Sequence, residues 1–241
     1  MCIRDRIPQG EIKTIQPKHG EDLVLAIDSE LQYLTENLCN DALVDTGAFK
    51  CSVVFANSLT GEVLISSEAS SLDNKYFNID LISARAYYEP GSALKIFTIG
   101  SLIESDIVDE NSSYLVEDEI EIIDGSCNDN HEGFKGCFKD FLKHEPLNLT
   151  VEEIIERSSN VGTLLLAQKV GEKDFKNFIK ESNMLNRSKL ELEEVGKPLN
   201  FKWNKCKLET ISYGHGIAIT PLQASATYAA LANGGNIVEP T

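Results

Sequence analysis

The stretch Tyr88-Glu-Pro-Gly-Ser-Ala-Leu-Lys-Ile-Phe-Thr-Ile-Gly-Ser-Leu-Ile-Glu104 decides the reading of this chain. Pro90 and Gly91 break the backbone, and Ser92 opens an apolar run with helical spacing, so a helix is expected to start at Ser92. Lys95 follows three residues on. Residues i and i+3 of a helix share a face, which lets the Ser92 hydroxyl and the Lys95 amine meet. A serine beside a lysine that has shed its proton is one route to an activated oxygen nucleophile. The free N–H groups and positive dipole end of a helix start would steady an oxyanion formed there. Ser-x-x-Lys arises by chance roughly once per 250 residues at average composition. For these two residues alone, a capping serine followed by a surface lysine is therefore the better explanation.

A second polar turn changes that balance. Thr150-Val-Glu-Glu153 is a capping box and starts a helix through Ile154 and Ile155. The helix halts at Arg157-Ser-Ser-Asn160, and Val161 to Val170 resumes as a strongly apolar helix with Gly171 as its C-cap. A turn held between two apolar helices presents the Ser158 hydroxyl as a proton carrier and the Asn160 side chain as an amide. A Ser/Lys pair that must also protonate a leaving amine lacks both parts. The plain alternative is a polar helix break, which Ser and Asn favour in any case.

Outward from these turns, Leu23-Val-Leu-Ala-Ile-Asp28 reads as a buried strand and Ser29-Glu-Leu-Gln32 as a capping box. The helix that follows places Leu31, Leu34, Leu38 and Leu43 on one side and ends near Gly47. Phe49 to Ala56 and Glu62 to Ser66, joined by Asn57-Ser-Leu-Thr-Gly61, predict a hairpin. Ile120 to Ile123 suggests a short edge strand, and Gly125 to His144 reads as loop. Phe175, Phe178 and Ile179 mark an amphipathic helix over 172–184, and Trp203 reads as a packing anchor in an otherwise mixed stretch over 186–207. Thr220-Pro-Leu-Gln223 is a third capping box with Pro at N1, opening a helix to Asn233 that Gly234 stops. The expected class is α+β, rich in helix, with a few strands near its start.

Composition narrows the function. With 42% apolar and 25% charged residues the 241-residue chain is ordinary for a globular protein. A net charge of −16 argues against non-specific binding to nucleic acid or anionic lipid. Nine carboxylates and no Lys or Arg lie between Glu104 and Asp124, a pattern that fits a solvated edge better than a metal site. No apolar run approaches the roughly 20 residues of a membrane span, and no signal peptide is visible. Six cysteines are present. Cys39 and Cys51 sit in apolar patterns and read as plain core residues. For Cys127 and Cys137 free thiols rank first, a disulfide second, and zinc held with His131 a distant third, since the spacing fits no common zinc pattern. The opening Met-Cys-Ile-Arg-Asp-Arg matches the translation of ATG-TGT-ATA-AGA-GAC-AG, a transposase end used in library preparation. We expect residues 1–6 to be adapter-derived; raw reads carrying genomic sequence through those codons would overturn this. Residues 7–22 read as a linker, and the chain reads as an internal fragment.

The motifs together carry a resemblance. Glu89-Pro-Gly-Ser-Ala-Leu-Lys95, Arg157-Ser-Ser-Asn-Val-Gly162, Ser212-Tyr-Gly-His-Gly-Ile-Ala-Ile-Thr-Pro-Leu-Gln223 and Tyr228-Ala-Ala-Leu-Ala-Asn-Gly-Gly235 resemble, in order and spacing, the transpeptidase domain of class B penicillin-binding proteins. Leu25-Ala-Ile-Asp-Ser-Glu-Leu-Gln32 and Thr60-Gly-Glu-Val63 extend the resemblance over about residues 20–241. It implies the penicillin-binding, serine β-lactamase-like fold, with residues 23–241 as an incomplete transpeptidase domain. The Ser-Tyr-Gly-His-Gly and Thr-Pro-Leu-Gln wording is most similar to the septal, cell-division branch, with the elongation branch as the alternative.

The family's set is Ser-x-x-Lys, Ser-x-Asn and Lys-Thr-Gly. By resemblance Ser92 is the acylated nucleophile, Lys95 its base, Ser158 the proton shuttle and Asn160 the holder of Lys95 and of the substrate amide. His215, between two glycines, reads as a turn residue. Ala93-Leu94 stand where the family has Thr-Phe, a mild departure. No Lys-Thr-Gly or Lys-Ser-Gly occurs anywhere in the 241 residues, so the third wall of the site is expected beyond them. The resemblance implies D,D-transpeptidation of peptidoglycan stem peptides ending in D-Ala-D-Ala, covalent capture of β-lactams, and no cofactor or metal. It also implies a membrane glycosyltransferase and division proteins as partners, and a periplasmic site of action with an N-terminal anchor. A half-neutral Lys95 near pH 7 would need roughly 4–5 kcal/mol of differential stabilisation. The competing classes are a non-catalytic division scaffold and a penicillin sensor or serine β-lactamase; the Thr-Pro-Leu-Gln region argues against the last pair.

Overall fold

A computed structural model describes residues 16–71, 82–127, 136–192, 195–196, 199 and 201–241. Helix α1 (Ser29–Thr46) precedes a hairpin of β1 (Lys50–Ala56) and β2 (Val63–Ser70), then the short α2 (Ile82–Arg85) and α3 (Lys95–Glu104). Four short strands follow, β3 (Ser113–Val116), β4 (Glu119–Glu121), β5 (Cys137–Lys139) and β6 (Leu147–Thr150). The rest is helical: α4 (Val151–Glu156), α5 (Asn160–Val170), α6 (Glu172–Glu181), α7 (Lys207–Ser212) and α8 (Pro221–Ala232). The strands pair in three antiparallel ladders, β1–β2, β3–β6 and β4–β5. The class is α+β, as the sequence predicts.

The hairpin forms for the reason its turn suggests. The Asn57 side-chain oxygen accepts from the N–H groups of Leu59 (2.9 Å) and Thr60 (3.2 Å), and Gly61 takes the left-handed backbone (φ 82°) that closes the turn. A bulge between Phe55 and Ala56 ends regular pairing there. Odd-numbered residues of β2 are buried: Ala69 packs with Cys39 and Leu43 of α1 and Ser67 bonds Thr35, while Val63 packs with Ala84 of α2 and Leu222; on the other face Ser66 bonds Ser83 of α2 at 2.8 Å.

Two expectations at this end are corrected. Leu23 to Asp28 forms no strand, and Leu23, Val24 and Leu25 are exposed; only the Asp28 N–H reaches β2, at the Leu64 carbonyl (2.9 Å). An apolar run becomes a strand only where a neighbour completes its ladder. The cap of α1 is Asp28 rather than Ser29, its carboxylate accepting from Glu30 N and Leu31 N. That one-residue shift frees Gln32 from capping, and its amide bonds the Ser66 backbone in both directions (2.9 and 3.1 Å). The buried face of α1 is therefore Cys39 and Leu43, while Leu31, Leu34 and Leu38 are exposed. Cys39 is joined by a disulfide to Cys51, so these two are not plain core thiols. Cys127 and Cys137 are likewise disulfide-bonded rather than free. His131 and residues 1–6 lie outside the described residues.

The helical body is built around α5. Val161, Leu164, Leu166 and Ala167 are all fully buried, and a helix apolar on every side belongs in an interior. α3, α4, α6 and α7 pack against it. α3 wedges between two cores. Leu94 just before it and its own Phe97 join Phe175, Ile179 and Ile211; its Ile99 and Leu102 join Val116, Ile154 and Leu166. Phe201 and Trp203 pack on the first of these, as expected of an anchor.

Candidate active site

Ser92 lies in a single 3₁₀ turn, Gly91–Leu94, and α3 itself begins at Lys95. The Lys95 N–H donates to the Ser92 carbonyl, and side chains three apart in a 3₁₀ turn eclipse one another. The sequence predicts an α-helix from Ser92 that lets its hydroxyl meet the Lys95 amine. The α-helix starts at Lys95 instead, and among the described residues no hydrogen bond joins the two side chains, the Lys95 amine bonding Ser158. Ser92 is exposed, whereas Lys95 is buried at 3% exposure. The Lys95 amine donates to the Ser158 carbonyl at 2.5 Å and to the Ser158 hydroxyl at 3.0 Å. Burial lowers its pKa to about 8, with the charge of Asp140 opposing that fall. The two motifs, 63 residues apart, thus meet at one ammonium group.

The Ser158 turn is strained and then clamped. Ser158 has φ 53°, a left-handed backbone that a non-glycine residue holds only at a cost of order 1–3 kcal/mol. Ser159 caps α5, accepting from the Gly162 N–H at 2.8 Å while donating its own proton to Asp140 at 2.7 Å. Asp140 also accepts from the N–H groups of Asn160 (2.5 Å) and Val161 (2.9 Å). The Asn160 amide donates to the Lys139 carbonyl at 2.9 Å. The arrangement thus differs from the expected Asn160–Lys95 contact: β5, not Lys95, holds the Asn160 side chain.

The region 212–219 forms the floor beside Ser92. The Gly91 N–H donates to the Gly214 carbonyl (2.9 Å), and Tyr88 bridges Ile219. A Cβ on Gly214 would lie 1.9 Å from the Gly91 oxygen, so only glycine permits this approach. Thr98 of α3 donates to the Ser212 carbonyl at 2.7 Å. Glu89 accepts from the Gly216 N–H at 2.7 Å and lies 3.5 Å from His215, which is exposed in a turn. The Tyr228 hydroxyl donates to the Ala93 carbonyl beside Ser92. Burial, with the Glu89 charge behind it, pushes Tyr213 up to about 12, which keeps it protonated. Among the described residues, the one group spaced to hold a metal is Glu119, Cys127 and Cys137. Its two sulfurs are bonded to each other, and Glu119 pairs with Lys139 at 2.8 Å. Sequence reasoning missed Asp140, which sits alone in a stretch read as loop.

The family model of the penicillin-binding protein transpeptidase domain matches residues 51–241. This chain belongs to that family. The chain is 27% identical over 99% of its length to a peptidoglycan D,D-transpeptidase FtsI homolog of Mesostigma viride, and covers 41% of that protein. It is 29% identical over 92% of its length to penicillin-binding protein PbpB of Mycolicibacterium smegmatis, covering 34% of it. The chain thus spans about two fifths or less of these relatives. Penicillin-binding protein 3 of Mycobacterium tuberculosis, solved with aztreonam, superposes with a TM-score of 0.80 at 25% identity, over 94% of this chain and 51% of that one. The transpeptidase domain therefore has the penicillin-binding protein fold that the motifs imply. No described helix is long and apolar enough to cross a membrane.

Proposed function

We propose that this chain carries part of a peptidoglycan D,D-transpeptidase that works through a serine acyl-enzyme. The observation that carries the reading is the buried Lys95 amine, lowered to about 8 and bonded to Ser158, one 3₁₀ turn from the exposed Ser92. Neutral Lys95 takes the proton of Ser92 as its oxygen attacks the carbonyl between the two terminal D-alanines. The tetrahedral intermediate collapses, and the leaving D-alanine amine receives that proton from Lys95 through the Ser158 hydroxyl. A second stem peptide's amine then enters by the reverse proton path and releases Ser92. A β-lactam stops after the first step, leaving Ser92 acylated.

Covalent labelling with a fluorescent penicillin tests this in the full-length protein. Ser92→Ala is expected to abolish labelling, and labelling that survives would remove Ser92 as nucleophile. Residues 1–241 alone are expected to label poorly, because they contain no Lys-Thr-Gly and loss of one oxyanion donor costs about 10²–10³ in rate. Full-rate labelling of that stretch would refute this. A second reading, a division scaffold without catalysis, predicts no labelling at all, even of the full-length protein. The septal role, the glycosyltransferase and division partners, and the periplasmic, membrane-anchored location rest on motif wording and are part of the proposal. A fluorescent fusion spread evenly along the cell wall would count against the septal assignment.

A further inference from the structure

We propose that Asp140 is a positioning residue of the acyl-transfer site, its buried carboxylate clamping the Ser158–Asn160 turn against Lys95. The inference rests on the reading given under Proposed function and names a residue outside all three motifs. The Asp140 side chain is only 8% exposed. Its backbone N–H is anchored on the Asp118 carbonyl at 2.8 Å. One carboxylate oxygen takes the N–H groups of Asn160 and Val161; the other takes the Ser159 hydroxyl and His144 Nε2 at 3.2 Å. Three donors, and His144 Nε2 when it carries a proton, converge on two acceptor oxygens, an arrangement that fits a carboxylate and that an amide would break on one side.

The clamp has something to hold. Ser158 sits in the left-handed region directly before these three residues, and such a backbone persists only where its surroundings over-determine it. The carboxylate fixes the next three residues at once, two through backbone N–H and one through its hydroxyl. The Ser158 carbonyl and hydroxyl are thereby aimed at the Lys95 amine. Asp140 is also the negative charge that acts on Lys95 and favours its ammonium form. The other charged groups around Asp140 are His144, whose ring also contacts the Glu145 carbonyl, and Asp118, whose carbonyl holds the Asp140 N–H and whose charge also acts on His144. The sequence holds Asp140 in a stretch without pattern, so nothing but the folded geometry marks it.

The test is the rate of penicillin acylation against pH for full-length Asp140→Ala and Asp140→Asn, with Ser92→Ala as control and thermal melts reporting the folded fraction. Asp140→Ala removes both clamp and charge and is expected to slow acylation about a hundredfold, the scale of a small misplacement of reacting groups. Asp140→Asn keeps an acceptor for the two N–H groups, so it is expected to lose less. Without the carboxylate, Lys95 sheds its proton more easily, and the rising limb of rate against pH moves toward acid in both variants. The same displacement in a His144→Gln background assigns it to Lys95. Rates within twofold of the parent with an unmoved limb would overturn the proposal. So would a slowing matched by loss of folded protein, or a displacement that vanishes with His144. A Ser92→Ala protein that labels normally would overturn the site itself, whereas Ser92-dependent labelling indifferent to Asp140 removes this inference alone.

Discussion

Lys95 is asked to be both buried and basic. Its low exposure shifts the balance toward the neutral amine, and its pKa of about 8 leaves about a tenth of the molecules neutral at pH 7. Acylation by penicillin is therefore expected to rise with pH around a midpoint near 8, and a rate flat between pH 6 and 9.5 would contradict Lys95 as the base. Stability carries the same sign. The folded pKa lies below the unfolded value of 10.5, so the unfolded chain binds more protons between about 8 and 10.5. The Lys95 contribution to stability accordingly improves as pH rises through that window, and is least favourable below it. Gly214 is the second residue whose chemistry is forced. With φ 86° and the Gly91 oxygen where a Cβ would go, Gly214→Ala is expected to lower the melting temperature and to disturb the turn that carries Ser92. A melt and labelling rate equal to the parent's would show the loop can yield. Lys95 and Ser158, which the fold brings together across 63 residues, were legible as candidates because each lies in a short polar motif set in apolar helices. Asp140 was not, because its partners, two backbone N–H groups at the start of α5, the Ser159 hydroxyl and His144, are gathered round it only by the folded chain.

At the scale of elements, the sequence spoke clearly where a cap chemistry is local. The capping boxes at Thr150 and Thr220 form as read, each with hydroxyl and side chain bonding reciprocally. Thr220→Ala is expected to cost about 1 kcal/mol, measurable by denaturant titration, since it leaves the Gln223 N–H without its partner. The box at Ser29 misled because Asp28, one residue earlier, caps as well, and tertiary contact of Gln32 with β2 settled the choice. The strands β3, β5 and β6 were not foreseen. Each has three or four residues, too few to show alternation, and each forms only because a distant segment completes its ladder. The hairpin β1–β2 was legible because its turn lies between the strands. The cysteine pairs are a matter of the same distance. Cys39 and Cys51 meet only when α1 lies on the hairpin, and an apolar pattern gives no hint of it. Cys39→Ser is expected to cost about 2–3 kcal/mol, by the entropy a cross-link of this length removes from the unfolded chain; an unchanged melt would mean the pair adds nothing.

Across the whole molecule, catalytic geometry is held by packing rather than by the groups themselves. α3 and α5 carry the two motif corners and share one core through Ile99, Leu102, Val161 and Leu166. Leu166→Ala, at a site with no exposure, is expected to cost 2–5 kcal/mol and to slow acylation although it touches no reacting group. A melt unchanged by that substitution would place the mechanical link elsewhere. The class of fold was legible from the apolar periods of α5 and α6. The assembly of α3 between two cores was not, because it depends on residues from segments far apart in the chain. The two disulfides also bear on how the protein has to be made. Bonds of this kind persist in oxidising compartments and are kept open by the thiol pools of a cytosol. A bacterial host producing the chain inside its cytoplasm would leave these four cysteines open beside Cys2 and Cys206, with a tendency to mispair on purification. Routing it through an export pathway, and omitting reductant from every buffer, is the preparation its own chemistry asks for.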